Sequence, residues 1–459
     1  MVPRAAVLLA AGAGSRFWPY AMVRNKAAFP ILNRPLIRRL ADCLLELGVQ
    51  ELRVVVGPHA GSVRAALGGL EAQTRFFIQP VPTGTADAAL IALEGVEEPA
   101  LIAAADVATA PENLRALCDA FDGAGPEAAF LAPPLGQEEA GEWITCTVRQ
   151  GQVRGFEGHG RGGTHRWGGV AIFTPTAVAA LRRNPGVMTH VPVGGMPAPE
   201  AELAETVAGL VDEGRAVLPV ETVGTFVDLD KPWHILEATR RLMADAAARL
   251  EGDRIPDGCV VADDLEISGR LILSPGAQIG RRVVIKGSLW LGPGASVTNG
   301  AILGGDAVVG AEARVRDYAS VGGGSVLGAR CLVGHGAELS GVLLDGAYLY
   351  HYCEISGVLG AAVDIGAATV CGTLRFDDHR TVHTVHGHRE VPLHGANASY
   401  LGDYSRTGVN AILMPGVKVG VYSCVGPGVI LYDDLPDRKI VLARQELSIR
   451  DWGPERYGW

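Results

Sequence analysis

Lysine is nearly missing from this chain of 459 residues. Lys26, Lys231, Lys286, Lys418 and Lys439 are the only five, and the rest of the 40 basic residues are arginines. Because ammonium and guanidinium do different work, each surviving lysine marks a position to question. A basic surplus is also missing: the net charge is −10, which argues against a nucleic-acid partner held by a basic surface. No run of about 18 apolar residues occurs, so no membrane span is expected. The opening MVPRAAVLLAAGAGSR is too short, and lacks the separated basic region, for a secretory signal. The eight cysteines form no C-x-x-C pair, which predicts reduced thiols in a cytoplasm rather than a disulfide frame or zinc knuckle. With 48% apolar and 20% charged residues, the chain has material for two or three sizeable cores and is not a disordered one.

Glycine is abundant, at 61 residues, without a collagen-like triplet period. Residues 1–232 alternate short apolar runs (Ala5–Ala10, Leu52–Val56, Arg75–Ile78, Leu101–Ala105, Ala128–Leu131) with helical patterns (Pro35–Leu47, Ser62–Leu67, Thr85–Leu93, Pro111–Ala120). Such alternation predicts an α/β, Rossmann-like domain with a mostly parallel sheet, its ligands beyond the carboxyl ends of the strands. Residues 233–254 read as a linker helix and its break.

From residue 255 to about 435 the period becomes six. Val261, Ile267, Leu273, Ile279 and ten successors through Leu339 recur without a miss, a run whose chance odds are on the order of 10⁻⁴ to 10⁻⁵. The phase slips near Tyr348–His351, resumes as Cys353, Leu359, Ile365 and Cys371, and resumes again from Leu401. Three hexapeptides per turn with aliphatics stacked inside predict a hexapeptide-repeat left-handed parallel β-helix. The pattern lapses over residues 372–398, where a loop is expected to leave the coil. Residues 436–459 form a tail expected to add a last strand or to lie across a neighbour.

The first strand runs into Leu9-Ala10-Ala11-Gly12-Ala13-Gly14-Ser15-Arg16, a turn whose backbone N–H groups can approach phosphates. Asn25-Lys26-Ala27-Ala28-Phe29-Pro30 follows, then Arg34-Pro35-Leu36. Together these blocks resemble the signature of the sugar-1-phosphate nucleotidyltransferases. Joined to a hexapeptide coil, they resemble the bifunctional N-acetylglucosamine-1-phosphate uridyltransferase/glucosamine-1-phosphate acetyltransferase family, which usually has proline where this chain has Asn25.

The resemblance implies transfer of a nucleotidyl group from UTP or dTTP to a sugar 1-phosphate, with release of pyrophosphate and with Mg²⁺ as cofactor. Arg16 and Lys26 would act as catalytic cations, and Leu9, Ala11, Gly12, Gly14, Gln79, Gly84 and Thr85 would hold the nucleotide. Asp106 and Asp228 would carry the metal, with Asp230 a competitor for Asp228 and helix capping the other reading of Asp106. Glu157 and Gly169 would face the sugar, although Glu142-Trp143 and Trp167-Gly168-Gly169 replace the family's Tyr-Gly and Asn-x-Gly. In the coil the resemblance implies a homotrimer and an acetyl-CoA-dependent acetyltransferase with a histidine base. Counting back from Gly366-Ala367-Ala368-Thr369 puts that base at Tyr350, so His351 serves only if the phase slip falls there. His379, His383, His386, His388 and His394 crowd the loop, and a solvated or interface loop is expected in preference to zinc. Two rivals stay open: a non-catalytic nucleotide- or sugar-binding regulator, and an acyltransferase with a vestigial front half.

Overall fold

A computed structural model describes residues 1–136, 140–158, 162–191 and 199–457. Its front half is built on a seven-stranded sheet: β1 (Ala5–Ala10), β2 (Glu51–Val56), β3 (Thr74–Ile78), β4 (Ala100–Ala104), β5 (Ala128–Ala132), β6 (Val170–Phe173) and β7 (Val217–Glu221). The spatial order is β7-β5-β6-β4-β1-β2-β3, and only β6 runs against its neighbours. Helices α1 (Leu36–Leu47), α2 (Thr85–Leu93), α3 (Pro111–Ala124) and α4 (Leu203–Asp212) cover this sheet. The inner strands β1, β4, β5 and β6 are apolar throughout because both their faces are buried, in separate core clusters, whereas the edge strands β3 and β7 are only partly buried. The order reverses between β1 and β4, which opens a crevice at their carboxyl ends.

Helix α5 (His234–Ala248) follows, and coil strands begin at Val260–Val261. The rest is the left-handed β-helix. One face is a ten-stranded parallel sheet, and its interior stacks residues such as Ile279, Val297, Val315 and Val333, each at most 1% exposed. The pairing offset is 18 residues in the early coils (Ser320↔Glu338), shortens to 16 in the middle ones (Glu338↔Glu354), and is 18 again after the loop, as in Arg406↔Cys424.

The phase slip therefore falls elsewhere than expected. Two strands, Glu338–Leu343 and Glu354–Leu359, run straight through a corner and merge the other two faces into a single 15-stranded sheet. The cause is Gly341 and Gly357, at φ +140° and +149°. A Cβ on Gly341 would lie 1.9 Å from the Gly357 carbonyl oxygen, and one on Gly357 would lie 1.8 Å from that of Ser399. Ile355, not Cys353, then takes the repeating position, paired with Leu339. The twice-written E-x-S-G-V-L hexapeptide is the sequence mark of this shortened corner.

The two halves pack on each other. Phe17, Tyr20 and Phe29 form an aromatic cluster that shares a core with Val326, Val342, Val358 and Tyr400 of the coil. The Tyr20 hydroxyl donates to the Val358 carbonyl at 2.7 Å, Asn33 Nδ2 donates to that of Leu327 at 2.7 Å, and Arg24 forks onto the buried Asp403.

The loop between the strands Val370–Cys371 and Ser399–Leu401 carries a hairpin, His383–Val385 with His388–Glu390. Four of its histidines are exposed, but His383 is buried, so the solvated alternative of the solvated-or-interface reading does not hold for that residue. The imidazole packs on Trp233, donates from Nε2 to the Ala396 carbonyl and accepts from Lys418 at Nδ1. In the tail, Ile440–Val441 adds a strand, while Leu447, Ile449 and Trp452 stay exposed; residues 458 and 459 lie outside the described residues. Among the described residues no helix is long and apolar enough to cross a membrane.

Candidate active site

Parallel pairing of β3, β2, β1 and β4 sends four strand ends to one edge of the sheet. The glycine turn leaves β1 there, Gln79 follows β3, and Asp106 follows β4. Leu9 contributes its carbonyl, which accepts from the Ala105 N–H at 3.1 Å, and Ala11 is buried. Gly12 faces open space, leaving its backbone accessible, and Gly14 turns the chain at φ +66°.

Asn25 explains the departure from proline. Its Nδ2 donates to the carbonyls of Ala10 at 2.9 Å and Gly12 at 3.3 Å, while its Oδ1 caps the next turn by accepting from the Ala27 N–H. An amide thus latches the glycine turn to the lysine segment.

A short antiparallel pair, Val107–Thr109 with Phe226–Asp228, brings the second acidic segment to the same edge, and the Leu229 N–H donates to the Asp106 carbonyl at 3.0 Å. Lys26 Nζ lies 2.7 Å from Asp106 Oδ2 and 3.5 Å from Asp230 Oδ1, and Arg16 reaches Asp230 at 3.1 Å. The structure therefore brings Arg16, Lys26, Asp106 and Asp228 into one cluster. Asp106 is engaged by Lys26, and helix α3 starts beyond it with Ala110 as its cap.

The electrostatics separate the aspartates. Burial pushes Asp228 up to about 7, and the Asp106 charge adds to this against Lys26. Burial pushes Asp230 up as well, but Lys26 and Arg16 outweigh it and hold Asp230 below its ordinary value. Lys26 is held above its ordinary range because Asp106, Asp230 and Asp228 outweigh the effect of its own burial. Asp230 is thus the residue that anchors both cations, a role sequence reasoning left as mere competition.

Among the described residues the buried Oδ1 of Asp228 has no hydrogen-bond partner. An orphaned carboxylate oxygen beside a second, repelling carboxylate is what a hard divalent cation relieves. Asp106 and Asp228 therefore fit Mg²⁺, which commonly takes one or two carboxylates and leaves its other positions to phosphates and water.

Gln79 is buried, and its amide donates to the Gly84 carbonyl at 3.3 Å. Gly84 is required: at φ +123° its Cβ would lie 2.3 Å from the Ala201 nitrogen. The Thr85 hydroxyl donates to Glu202 and accepts from the Leu203 N–H, both at 2.8 Å, so it is tied to the entry of α4.

Of the two residues expected to face the sugar, Gly169 accepts at its carbonyl from the Ala104 N–H at 2.8 Å, near Asp106 in the chain. Glu157 lies apart, lining a cavity of about 320 Å³ with Thr145, Arg149 and Arg154. Among the described residues no hydrogen bond or ion pair joins it to the Lys26 cluster. Trp167 is spent on packing against Phe130 and Phe156, whereas Trp143 lies against the Arg166 guanidinium at 4.1 Å and stacks on His234.

Lys231, which sequence reasoning did not use, is buried between Glu142 at 3.0 Å and Glu390 of the loop hairpin at 2.5 Å. The scarcity of lysine was its signal. In the coil, His351 is exposed at a corner, against Tyr352 and Tyr350. The shortened corner at Gly357 lies between His351 and Gly366, so a count back from Gly366 crosses it.

The chain is 22% identical over 457 residues to the bifunctional protein GlmU of Methanococcus vannielii, covering 97% of this chain and 99% of that one. It is 27% identical over 466 residues to the protein of the same name from Methanococcus maripaludis, covering 97% and 98%. To the bifunctional sugar-1-phosphate nucleotidylyltransferase/acetyltransferase of Sulfurisphaera tokodaii it is 23% identical, covering 94% and 98%. A family model described as the MobA-like NTP transferase domain matches residues 6–262, and the chain belongs to that family of nucleotidyltransferases.

Proposed function

We propose that the chain joins UTP or dTTP to a sugar 1-phosphate in an Mg²⁺-dependent reaction that releases pyrophosphate. The observation that carries this reading is the Lys26 ammonium held between Asp106 and Asp230 beside the unsatisfied Asp228, at the sheet edge where the glycine turn opens. A phosphate oxygen of the sugar phosphate attacks the α-phosphorus. The bond from that phosphorus to its β-bridging oxygen breaks, and pyrophosphate leaves with the bonding pair. Lys26 and Arg16 neutralise the charge that builds on the phosphates, the Gly12–Gly14 turn offers backbone N–H donors, and Gln79 stands at the base with Gly84 and Thr85. Asp106 and Asp228 would hold Mg²⁺, which supplies further charge neutralisation on the phosphates. Gly169 and Glu157 are the sugar-side residues of this reading. Eight free cysteines support a reducing, cytoplasmic setting.

The test is pyrophosphate release from a panel of nucleoside triphosphates and sugar 1-phosphates with Mg²⁺. Release with at least one pair, lost in Asp106→Asn, is expected. No release from any pair by folded protein overturns the reading.

A second activity has its own observation, the exposed His351 at a coil corner beside two tyrosines, in a chain whose full-length relatives are named as bifunctional. We propose acetyl transfer from acetyl-CoA with His351 as general base, in a homotrimer assembled through the β-helix. Consumption of acetyl-CoA with glucosamine 1-phosphate that persists in Asp106→Asn and disappears in His351→Ala is the expected result, and the mass of the native protein in solution tests the trimer.

A further inference from the structure

The shortened corner leaves an unexplained cleft of about 410 Å³ between the coil, helix α5 and the base of the long loop. Its lining shares no residue with the Lys26 cluster or with the corner that carries His351. Loss of the corner sets Ser340 and Ser356 one above the other, in register, and Gly324 lies against the floor with open space at its Cβ position. Over this floor stand Arg240 from α5 and Arg380 and His394 from the loop.

The charge here is one-sided. Among the described residues no aspartate or glutamate lines the cleft, in a chain whose net charge is −10. Arg241, next door, is neutralised by Glu237 at 2.7 Å, but neither Arg240 nor Arg380 has an ion-pair partner among the described residues. Arg380 donates from Nη1, one arm of its fork, to the Pro392 carbonyl at 3.2 Å, which ties the guanidinium to the loop and leaves its other N–H groups without a protein partner among the described residues. His394 senses the imbalance: burial, then Arg240, with Arg241 and Arg380 adding and Glu237 opposing, holds its imidazole below the ordinary value. Asn397 is already committed, accepting from Thr381 and donating to the Thr373 carbonyl, so it closes the loop base and leaves recognition to the cations and serines.

We propose that this cleft binds a small phosphate-bearing anion, its oxygens between Arg240 and Arg380 and its body over Ser340 and Ser356. Two forked guanidiniums with two hydroxyls match tetrahedral oxyanions, and the volume suits a hexose phosphate or something smaller. The site does not depend on nucleotidyl transfer.

Calorimetric titration of the full chain with inorganic phosphate and with glucose 1-phosphate tests this, carried out in Lys26→Gln protein so that the nucleotide edge contributes little. One saturable site per chain is expected. Arg240→Glu should weaken it at least tenfold, and Ser356→Trp should abolish it by filling the floor. Because Arg240 is exposed on a helix, its variant should keep the native circular dichroism and, in the Lys26 parent, unchanged pyrophosphate release. Tighter binding of glucose 1-phosphate assigns a phosphorylated sugar, and equal affinity assigns free phosphate. No saturable binding of either probe, or binding that Arg240→Glu leaves intact, overturns the site.

Discussion

Lys26 Nζ sits 2.7 Å from Asp106 Oδ2 while also facing Asp230, so one ammonium joins the end of β4 to the segment that carries Asp228. Lys26→Gln removes that charge and its claim on three aspartates. Pyrophosphate release should fall by about a hundredfold or more, the scale for losing a preorganised charge contact to a transition state. The check is steady-state turnover alongside circular dichroism; activity within threefold of wild type contradicts the role.

Asn25→Pro restores the residue common in the resembling family. The backbone accepts it, since Asn25 has φ −69° and ψ 142°, but the amide bonds to Ala10 and Gly12 and the N–H bond to Ser62 disappear. With each net hydrogen bond worth about 1 kcal/mol, the cost should be about 2–3 kcal/mol, and KM for the nucleotide should rise more than kcat falls. Urea unfolding and nucleotide titration read the two effects.

Gly357→Ala should destabilise the coil by more than about 3 kcal/mol, because its Cβ would lie 1.8 Å from the Ser399 oxygen. Gly324→Ala is the control: its φ of +83° brings strain, but nothing lies within 4 Å, so about 1 kcal/mol is expected. Equal unfolding midpoints for the two variants would show that the flattened corner is not tightly stacked.

His383 is pushed down to about 4, by burial first and then by Lys418. The unfolded chain takes up a proton below about 6.5 while the folded chain stays neutral until about 4. Stability from this group is therefore present above pH 6.5 and is lost as pH falls to 4, on the order of 2–3 kcal/mol in all. Melting temperatures from pH 8 to 4 should fall less steeply for His383→Gln than for wild type.

Arg24→Ala leaves Asp403 buried without its partner, although the Ala361 N–H still donates to it. A loss of about 3–5 kcal/mol is expected from the uncompensated charge, with the docking of the halves loosened first. Hydrogen exchange at Tyr20 and Val358 should rise before exchange in β1.

Much of the architecture could be read from local patterns. The strand Ala5–Ala10 and the helix Thr85–Leu93 were placed to the residue, because burial on both faces and helical spacing each write themselves directly into neighbouring residues. The six-residue period was legible for the same reason. Its slip was misplaced because two corner residues are missing at Gly341 and again at Gly357, and a glycine that flattens a corner looks in sequence like one that forms it. The burial of His383 is not legible among the loop's other histidines, because nothing near it in the chain announces Trp233 or Lys418.

The cations and acids of the candidate site were named from motif order, but their division of labour was not. Asp228 and Asp230 are two residues apart with the same chemistry, so composition and spacing treat them alike. Pairing of Phe226–Asp228 with Val107–Thr109 turns one carboxylate into a buried, unpaired place beside Asp106 and the other toward Lys26 and Arg16. The sequence by itself determined the sheet, the coil and the strand ends where charge would gather, since periodicity is a local property. Only the tertiary structure decided which carboxylate meets which cation, because those energies depend on distance and burial between segments far apart in the chain.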